Sequence, residues 1–294
     1  MKIDFYIAGM QKSGTTNLAY LLSKCSNILT HPQTECTFFY DTQEYKQGIQ
    51  YLQKNYFWSI KNKAPSSYTL LKHSHTFTCT DTIQRVLKHS PQVTFILIFR
   101  NPIHRFISSY LMERTRSLYP HSLDKAIQIA FSNTDSFEHK VFYEFGLYDQ
   151  WLQNIFKIIP QKNIHLFLFE DLYNDLEHHI EQFANQYHLD IHTETLKNIQ
   201  STPIQNAYKE YKYYWYQKLI VHWRHSSIKK CIKKLIPAPQ WIKLIKKIEH
   251  INLIEPEQPP PIKDELKYLL LEKYRSSIEK FEALTGYKTN WLKI

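Results

Sequence analysis

The chain has 294 residues, 43% hydrophobic and 15% aromatic, and carries a formal net charge of +10. That length and apolar content can bury a large core, which excludes a disordered or fibrous chain. Its four cysteines, Cys25, Cys36, Cys79 and Cys231, form no CxxC pair and no metal-ligand spacing, which excludes a disulfide framework.

The thiols therefore read as reduced, and no apolar run reaches membrane-spanning or signal-peptide length, so the expected location is cytoplasmic. The charge is uneven. Residues 209–250 hold eleven Lys/Arg against two acids, nine of the ten net positive charges.

In chain order, Ile3 to Ala8 is a short apolar run that predicts a buried parallel strand. It ends at Gly9, in a chain with only five glycines, and the tight polar turn that follows holds Lys12, Ser13 and Gly14. Thr15 to Leu22 then has apolar residues at Leu18, Leu21 and Leu22, predicting a helix whose N-terminus faces the turn. Free N–H groups and the positive dipole end make that turn an anion site. The GxxxxGK[ST] loop of nucleotide triphosphatases does not fit, because Lys12 precedes Gly14 instead of following it, and no strand-terminal Asp suited to Mg²⁺ is evident.

The order GxxKSGTT on an N-terminal strand instead resembles the 5′-phosphosulfate loop of sulfotransferases that use 3′-phosphoadenosine 5′-phosphosulfate (PAPS). The resemblance implies that Lys12, Ser13, Gly14, Thr15 and Thr16, with Asn17 in the same cofactor-binding group, hold the 5′-phosphate. It also places Lys12 near the oxygen that departs. The next segment, with Glu35, Phe38, Phe39, Tyr45 and Gly48, resembles the carbohydrate (heparan-sulfate type) sulfotransferases and their bacterial relatives. There the glutamate is the base for the acceptor hydroxyl, a role that falls to Glu35. Thr37 and Tyr40 stand where those enzymes often carry histidine and aspartate, so a different acceptor is expected. Read without the resemblance, Glu35 is a surface or capping carboxylate, and Phe38 and Phe39 are core.

A loop rich in lysine, asparagine and serine follows (residues 61–68), with Lys63 before Ala64-Pro65. A gapless overlay from Arg100 backward puts Lys72, not Lys63, at the family's catalytic lysine, with Arg85 and Pro91 also on family positions. His73, Ser74 and His75 replace the usual Ser/Thr-Pro, and an imidazole there has a suitable pKa for a base. Glu35 ranks first as base and His75 second.

Val93 to Phe99 predicts a second buried strand that delivers RNPIHRFISSY at its end. Arg100, Ser108 and Tyr110 match the 3′-phosphate motif of the same family. An arginine at a strand's carboxyl end and a hydroxyl on the next helix suit a terminal phosphate. Arg105 lies three residues before Ser108, on the same helical face.

Ser122 to Phe131 predicts an amphipathic helix started by Ser122. Ile164 to Phe169 predicts another strand, with Glu170 and Asp171 at its end as caps or acceptor contacts, and Gly146 and Tyr148 read mainly as core. From Ala207 to His225 aromatic and basic residues interleave, and 228–247 reads as two basic amphipathic helices. Nucleic-acid surface, nucleotide-closing lid and membrane-surface helix compete for 207–250. A proline-rich linker leads to a last helix, Lys263 to Leu284.

The sequence thus predicts an α/β fold: a P-loop-like parallel sheet flanked by helices, with a helical basic C-terminal elaboration. One domain spans 1–294, with its core in about 1–200 and the elaboration in about 201–294. The predicted activity is in-line sulfuryl transfer from PAPS, leaving adenosine 3′,5′-bisphosphate, to a hydroxyl acceptor such as an anionic glycan or lipid-linked sugar. Neither metal nor nucleic acid is expected, and 207–250 is the candidate contact with the inner membrane surface. The competing class is a non-catalytic nucleotide- or nucleic-acid-binding protein, and a nucleoside-phosphate kinase is a third reading.

Overall fold

The computed structural model describes residues 1–57, 67–116, 119–192, 194, 210–225, 251–254 and 262–293. The 61–66 loop with Lys63, Cys231, the two basic helices of 228–247 and most of the proline-rich linker lie outside the described residues.

Five parallel strands form the central sheet: β1 (Phe5–Gly9), β2 (Ile28–Thr30), β3 (Tyr68–Lys72), β4 (Thr94–Phe99) and β5 (Ile164–Leu168), in the order β2-β3-β1-β4-β5. All five residues of β1 are buried, as are all but the first of β4, which is why both read as unbroken apolar runs. The register sets Ile7 opposite Lys72 on one side and Ile96 on the other. β1 therefore sits between the strands that end in Lys72 and Arg100. The chain leaves β1 toward β2 and β3, then crosses back to β4 and β5, so the order reverses beside the carboxyl end of β1. Open α/β sheets hold ligands at that place.

Helices follow the strands: α1 (Thr15–Leu22), α2 (Thr42–Tyr45), α3 (Ile49–Tyr56), α4 (Thr80–His89), α5 (Pro102–Arg116), α6 (Leu123–Ser132), α7 (Tyr148–Phe156), α8 (Phe169–Asn174), α9 (Leu176–Gln186), α10 (Tyr214–His225) and α11 (Asp264–Thr285). Ser122 caps α6 by accepting from the Lys125 N–H, as its position before the apolar period predicts. Leu18, Leu21 and Leu22 of α1 enter the core with Ile7, Leu70 and Ile98. Phe38 and Phe39 are buried, as expected of core residues, and Cys25, Cys36 and Cys79 are free thiols.

The chain divides into two compact units. The first comprises 1–105, 144–206 and 268–294 and contains the whole parallel sheet. There Gly146 lies against Tyr274, whose ring a Cβ on the glycine would meet at 2.8 Å, so its role is packing. The second comprises 106–143 and 207–267 and has its own aromatic core, in which Phe106, Tyr110 and Phe142 meet edge-to-face. Its two-stranded antiparallel pair, β6 (Glu210–Tyr211) and β7 (Leu253–Ile254), is extended by the buried Asn252. That side chain accepts from the Tyr213 N–H at 2.7 Å and donates to the Tyr213 carbonyl at 2.8 Å.

Candidate active site

The turn between β1 and α1 is built by two residues with left-handed backbone, Lys12 (φ 70°) and Gly14 (φ 81°). A non-glycine residue in that region costs on the order of 1–3 kcal/mol and persists where its surroundings enforce it. Gly14 is required twice over, because a Cβ there would meet the Tyr173 hydroxyl at 2.6 Å. That hydroxyl donates to the Gly14 carbonyl at 3.1 Å. Gly9 lets the strand end approach Phe77 and the Ser74 carbonyl, 2.8 and 3.3 Å from where its Cβ would stand.

No side chain caps α1, and its first intrahelical bond runs from the Leu18 N–H to the Gly14 carbonyl. The N–H groups of Thr15, Thr16 and Asn17 thus have no acceptor within the helix. The Ser13 hydroxyl beside them is fully buried with no hydrogen-bond partner. A buried orphan donor among uncapped helix N–H groups fits an anion, at the loop expected to hold the 5′-phosphate.

At the end of β4, Arg100 reaches back to the same loop: its guanidinium donates to the Lys12 carbonyl at 3.2 Å and covers the Phe169 ring at 4.5 Å. Its Nε is buried without a partner. Burial lowers the Arg100 pKa, and Glu170 opposes that shift; an arginine stays charged regardless. The backbone carrying Arg100 is pinned on both sides. Tyr148 donates to the Arg100 carbonyl at 2.9 Å, and Glu170 accepts from the Asn101 N–H at 2.9 Å. The other Glu170 oxygen accepts from Trp291 Nε1 at 3.0 Å, so the carboxylate ties the chain's last turn to the arginine. Ser108 is half-buried on α5 and belongs to the second unit; Tyr110, also there, is buried and bonds the His121 carbonyl at 3.2 Å. Arg105 is fully buried.

The carboxyl end of β3 carries the second cluster. Lys72 Nζ donates to Glu35 Oε1 at 2.6 Å and to the Thr34 carbonyl at 2.8 Å. The Cys36 N–H returns a bond to the Lys72 carbonyl at 2.7 Å. The Lys72 side chain is 3% exposed and that of Glu35 32% exposed, so the ammonium is held inside while the carboxylate reaches solvent. Burial alone raises a carboxyl pKa; the ion pair with Lys72 and the bonds from Lys72 and Ser74 outweigh it and hold Glu35 below the usual range. Burial pulls the Lys72 ammonium below its usual range, against the attraction of Glu35. The structure thus brings Lys72 to Glu35.

His73 is pushed down to about 4, chiefly by burial, and its Nδ1 lies 3.2 Å from the Thr76 hydroxyl. His75 is half-buried in a line of rings: Tyr40 to His73 at 4.4 Å, His73 to His75 at 5.8 Å and His75 to Phe145 at 5.8 Å. Arg85 secures the segment after Glu35 by donating to the Phe39 carbonyl and to Thr42 Oγ1, both at 3.0 Å. Tyr173, Phe169 and Ser74 are the residues sequence reasoning missed. The first two follow β5, the strand paired with the one that ends at Arg100, and no residue pattern in the sequence marks that neighbourhood.

An anion cradle after β1, an arginine after β4 and a carboxylate paired with the lysine that ends β3 lie at the carboxyl ends of three neighbouring parallel strands. The sulfotransferase domain family matches residues 2–236, and the chain belongs to that family. It is accordingly an enzyme of PAPS-dependent sulfuryl transfer. A sulfotransferase from Alicyclobacillus acidocaldarius has a similar fold, with 14% identity, TM-score 0.61 and 99% of each chain covered. The sulfotransferase domain of the Synechococcus PCC 7002 olefin synthase matches with 12% identity and TM-score 0.51, over 98% of this chain and 96% of that one. That of the curacin biosynthetic pathway matches with 15% identity and TM-score 0.51, over 70% and 81%. The expected α/β class, with a parallel sheet flanked by helices, is the class observed.

Proposed function

We propose that this sulfotransferase sulfates a hydroxyl of a carbohydrate or glycolipid, with Glu35 as the base. The observation that carries the reading is the Glu35–Lys72 pair at the end of β3, on the strand next to the one that opens the anion loop. Lys12, Ser13, Gly14, Thr15 and Thr16 hold the 5′-phosphate, with Asn17 a further cofactor-binding residue; Arg100 holds the 3′-phosphate, a role the sequence motif also assigns to Ser108. PAPS, when bound, supplies the activated sulfuryl group, and its bisphosphate remains afterwards. Glu35 accepts the proton of the acceptor hydroxyl, and the lysines Lys12 and Lys72 with the N-terminus of α1 favour negative charge on the loop side. His75 is the second candidate base.

Tyr40 supports a ring-bearing acceptor. It is 43% exposed with its ring 4.4 Å from that of His73, the residue after Lys72, at a position where the heparan enzymes often carry an aspartate. A screen with radiolabelled PAPS tests this: alkyl glycosides and glycolipids are expected to be sulfated in preference to a simple phenol or a tyrosyl peptide. Tyr40→Ala should raise KM for the preferred acceptor about tenfold, the loss of about 1–1.5 kcal/mol of ring contact, with KM for PAPS unchanged. Preference for the phenol or the peptide overturns the carbohydrate reading. Tight RNA binding, with turnover of no acceptor, favours the non-catalytic alternative.

The second unit supports a contact with an anionic membrane surface. Tyr213, Trp215 and Leu219, with Ile251 beside them in sequence to Asn252, are each more than half exposed, and Lys212 and Lys218 are exposed among them. Trp and Tyr over cations suit a headgroup boundary. No helix among the described residues is long and apolar enough to cross a bilayer. Co-sedimentation with vesicles containing phosphatidylglycerol should exceed that with neutral vesicles, fall with salt and drop about tenfold for Trp215→Ser with Leu219→Ser. Equal sedimentation of wild type and variant removes the membrane reading.

A further inference from the structure

Ser74 lies against the Glu35 carboxylate and is 7% exposed. Its backbone N–H donates to Glu35 Oε2 at 2.9 Å, and its hydroxyl donates to Oε1 at 3.0 Å. Lys72 Nζ also donates to Oε1, at 2.6 Å. A carboxylate oxygen offers two lone pairs, so Oε1 has both engaged and Oε2 has one engaged. We propose that Ser74 is a positioning residue, which turns the Glu35 carboxylate so that Oε2, with its remaining lone pair, takes the proton of the acceptor hydroxyl. This rests on the reading of Glu35 as the base.

The terminal torsion of a glutamate is soft and roughly two-fold. A lysine holding one oxygen leaves the plane of the carboxylate free to turn about it. A fork of N–H and O–H from one residue removes that freedom, because each donor claims a different oxygen. The fork is itself fixed, since Ser74 follows β3 by two residues and its carbonyl packs against Gly9. The acceptor's O–H bond breaks, its proton goes to Oε2 and the electron pair stays on the acceptor oxygen, which becomes the nucleophile. Lys72 keeps its protons throughout.

Among the described residues, Tyr6 of β1, His31 and Cys36 of the segment bearing Glu35, and Lys72 and His73 from β3 onward act on Glu35 or feel it. His31 and His73 are pushed down to about 4, chiefly by burial, so both are neutral near pH 7, and the Lys72 ammonium is the charge paired with Glu35. Losing the Ser74 hydroxyl removes a donor to the ionised carboxylate, which raises its pKa and loosens its orientation together.

The test is carboxyl-carbon NMR titration of Glu35 in the nucleotide-free protein, its resonance assigned with Glu35→Gln, for wild type, Ser74→Ala and Ser74→Thr. Turnover of radiolabelled PAPS with octyl β-D-glucoside is followed in parallel. Ser74→Ala is expected to move the Glu35 midpoint upward and to lower kcat about tenfold or more with KM for PAPS unchanged. Ser74→Thr, which keeps the hydroxyl, should restore both. Ser74→Cys, of similar shape and a weaker donor, replaces the alanine variant if that one fails to fold. An unmoved midpoint in Ser74→Ala or Ser74→Cys overturns the positioning role, and the titration decides this whether or not the glucoside is sulfated. Full turnover by Glu35→Gln overturns the base reading instead.

Discussion

Adenosine 3′,5′-bisphosphate is expected to raise the melting temperature of the wild-type protein, and Arg100→Ala and Lys12→Ala are each expected to abolish that rise. Arg100 sits at the end of β4 with its guanidinium between the Lys12 carbonyl and the Phe169 ring, and its Nε is buried without an acceptor. Truncating one member of a desolvated, charge-assisted pair costs about 2–5 kcal/mol, on the order of 30-fold to several thousand-fold in affinity. Arg100→Lys should recover little of it, since an ammonium lacks the planar fork and the extent to cover Phe169. Lys12 is the residue proposed for the other phosphate, so its loss should weaken bisphosphate binding to a similar degree. Calorimetric titration and thermal melting check both. A bisphosphate-induced shift that survives in either variant removes that residue from the nucleotide site. A wild type indifferent to the bisphosphate and stabilised by Mg²⁺-ATP points to the kinase reading.

The loop and the two buried strands were legible because each is local. A strand buried on both faces must be apolar throughout, and a turn that needs left-handed backbone draws glycine to Gly14. Lys72 was legible only through its distance from Arg100, since the residues after it depart from the family pattern. What joins it to Glu35 is the register of β2 with β3, which sets Thr30 opposite Leu70 and lays the segment after β2 alongside Lys72, a non-local fact that composition does not carry. Ser74 shows the same limit more sharply. One of its two bonds to Glu35 comes from a backbone N–H, which every residue but proline owns, so no residue type marks it. Tyr173 and Glu170 reach the site from the end of β5, which becomes a neighbour of Arg100 only once the strand order is known.

Glu35→Gln is the change expected to separate chemistry from stability at the third strand end. With Glu35 as the proposed base, its loss should lower turnover by about 10²–10⁴. It also leaves the Lys72 ammonium inside without a countercharge, at 3% exposure. Breaking a fully buried pair costs ~3–5 kcal/mol; about a third of the Glu35 side chain meets water, so a loss of about 2–3 kcal/mol is expected here. Adding Lys72→Met to Glu35→Gln removes the stranded charge, so most of the stability should return while turnover does not. The pH dependence follows from the direction of the Glu35 shift. A carboxylate held below its unfolded value contributes stability above that unfolded value, and the contribution disappears as pH falls through the lower folded one. The wild type should therefore hold its advantage over Glu35→Gln at neutral pH and lose it in acid, below the ordinary carboxylate range. Urea denaturation across pH, with circular dichroism as readout, gives the three stabilities. If the double variant stays as unstable as Glu35→Gln, the stranded ammonium is not the cause; if Glu35→Gln turns over normally, His75 becomes the candidate base.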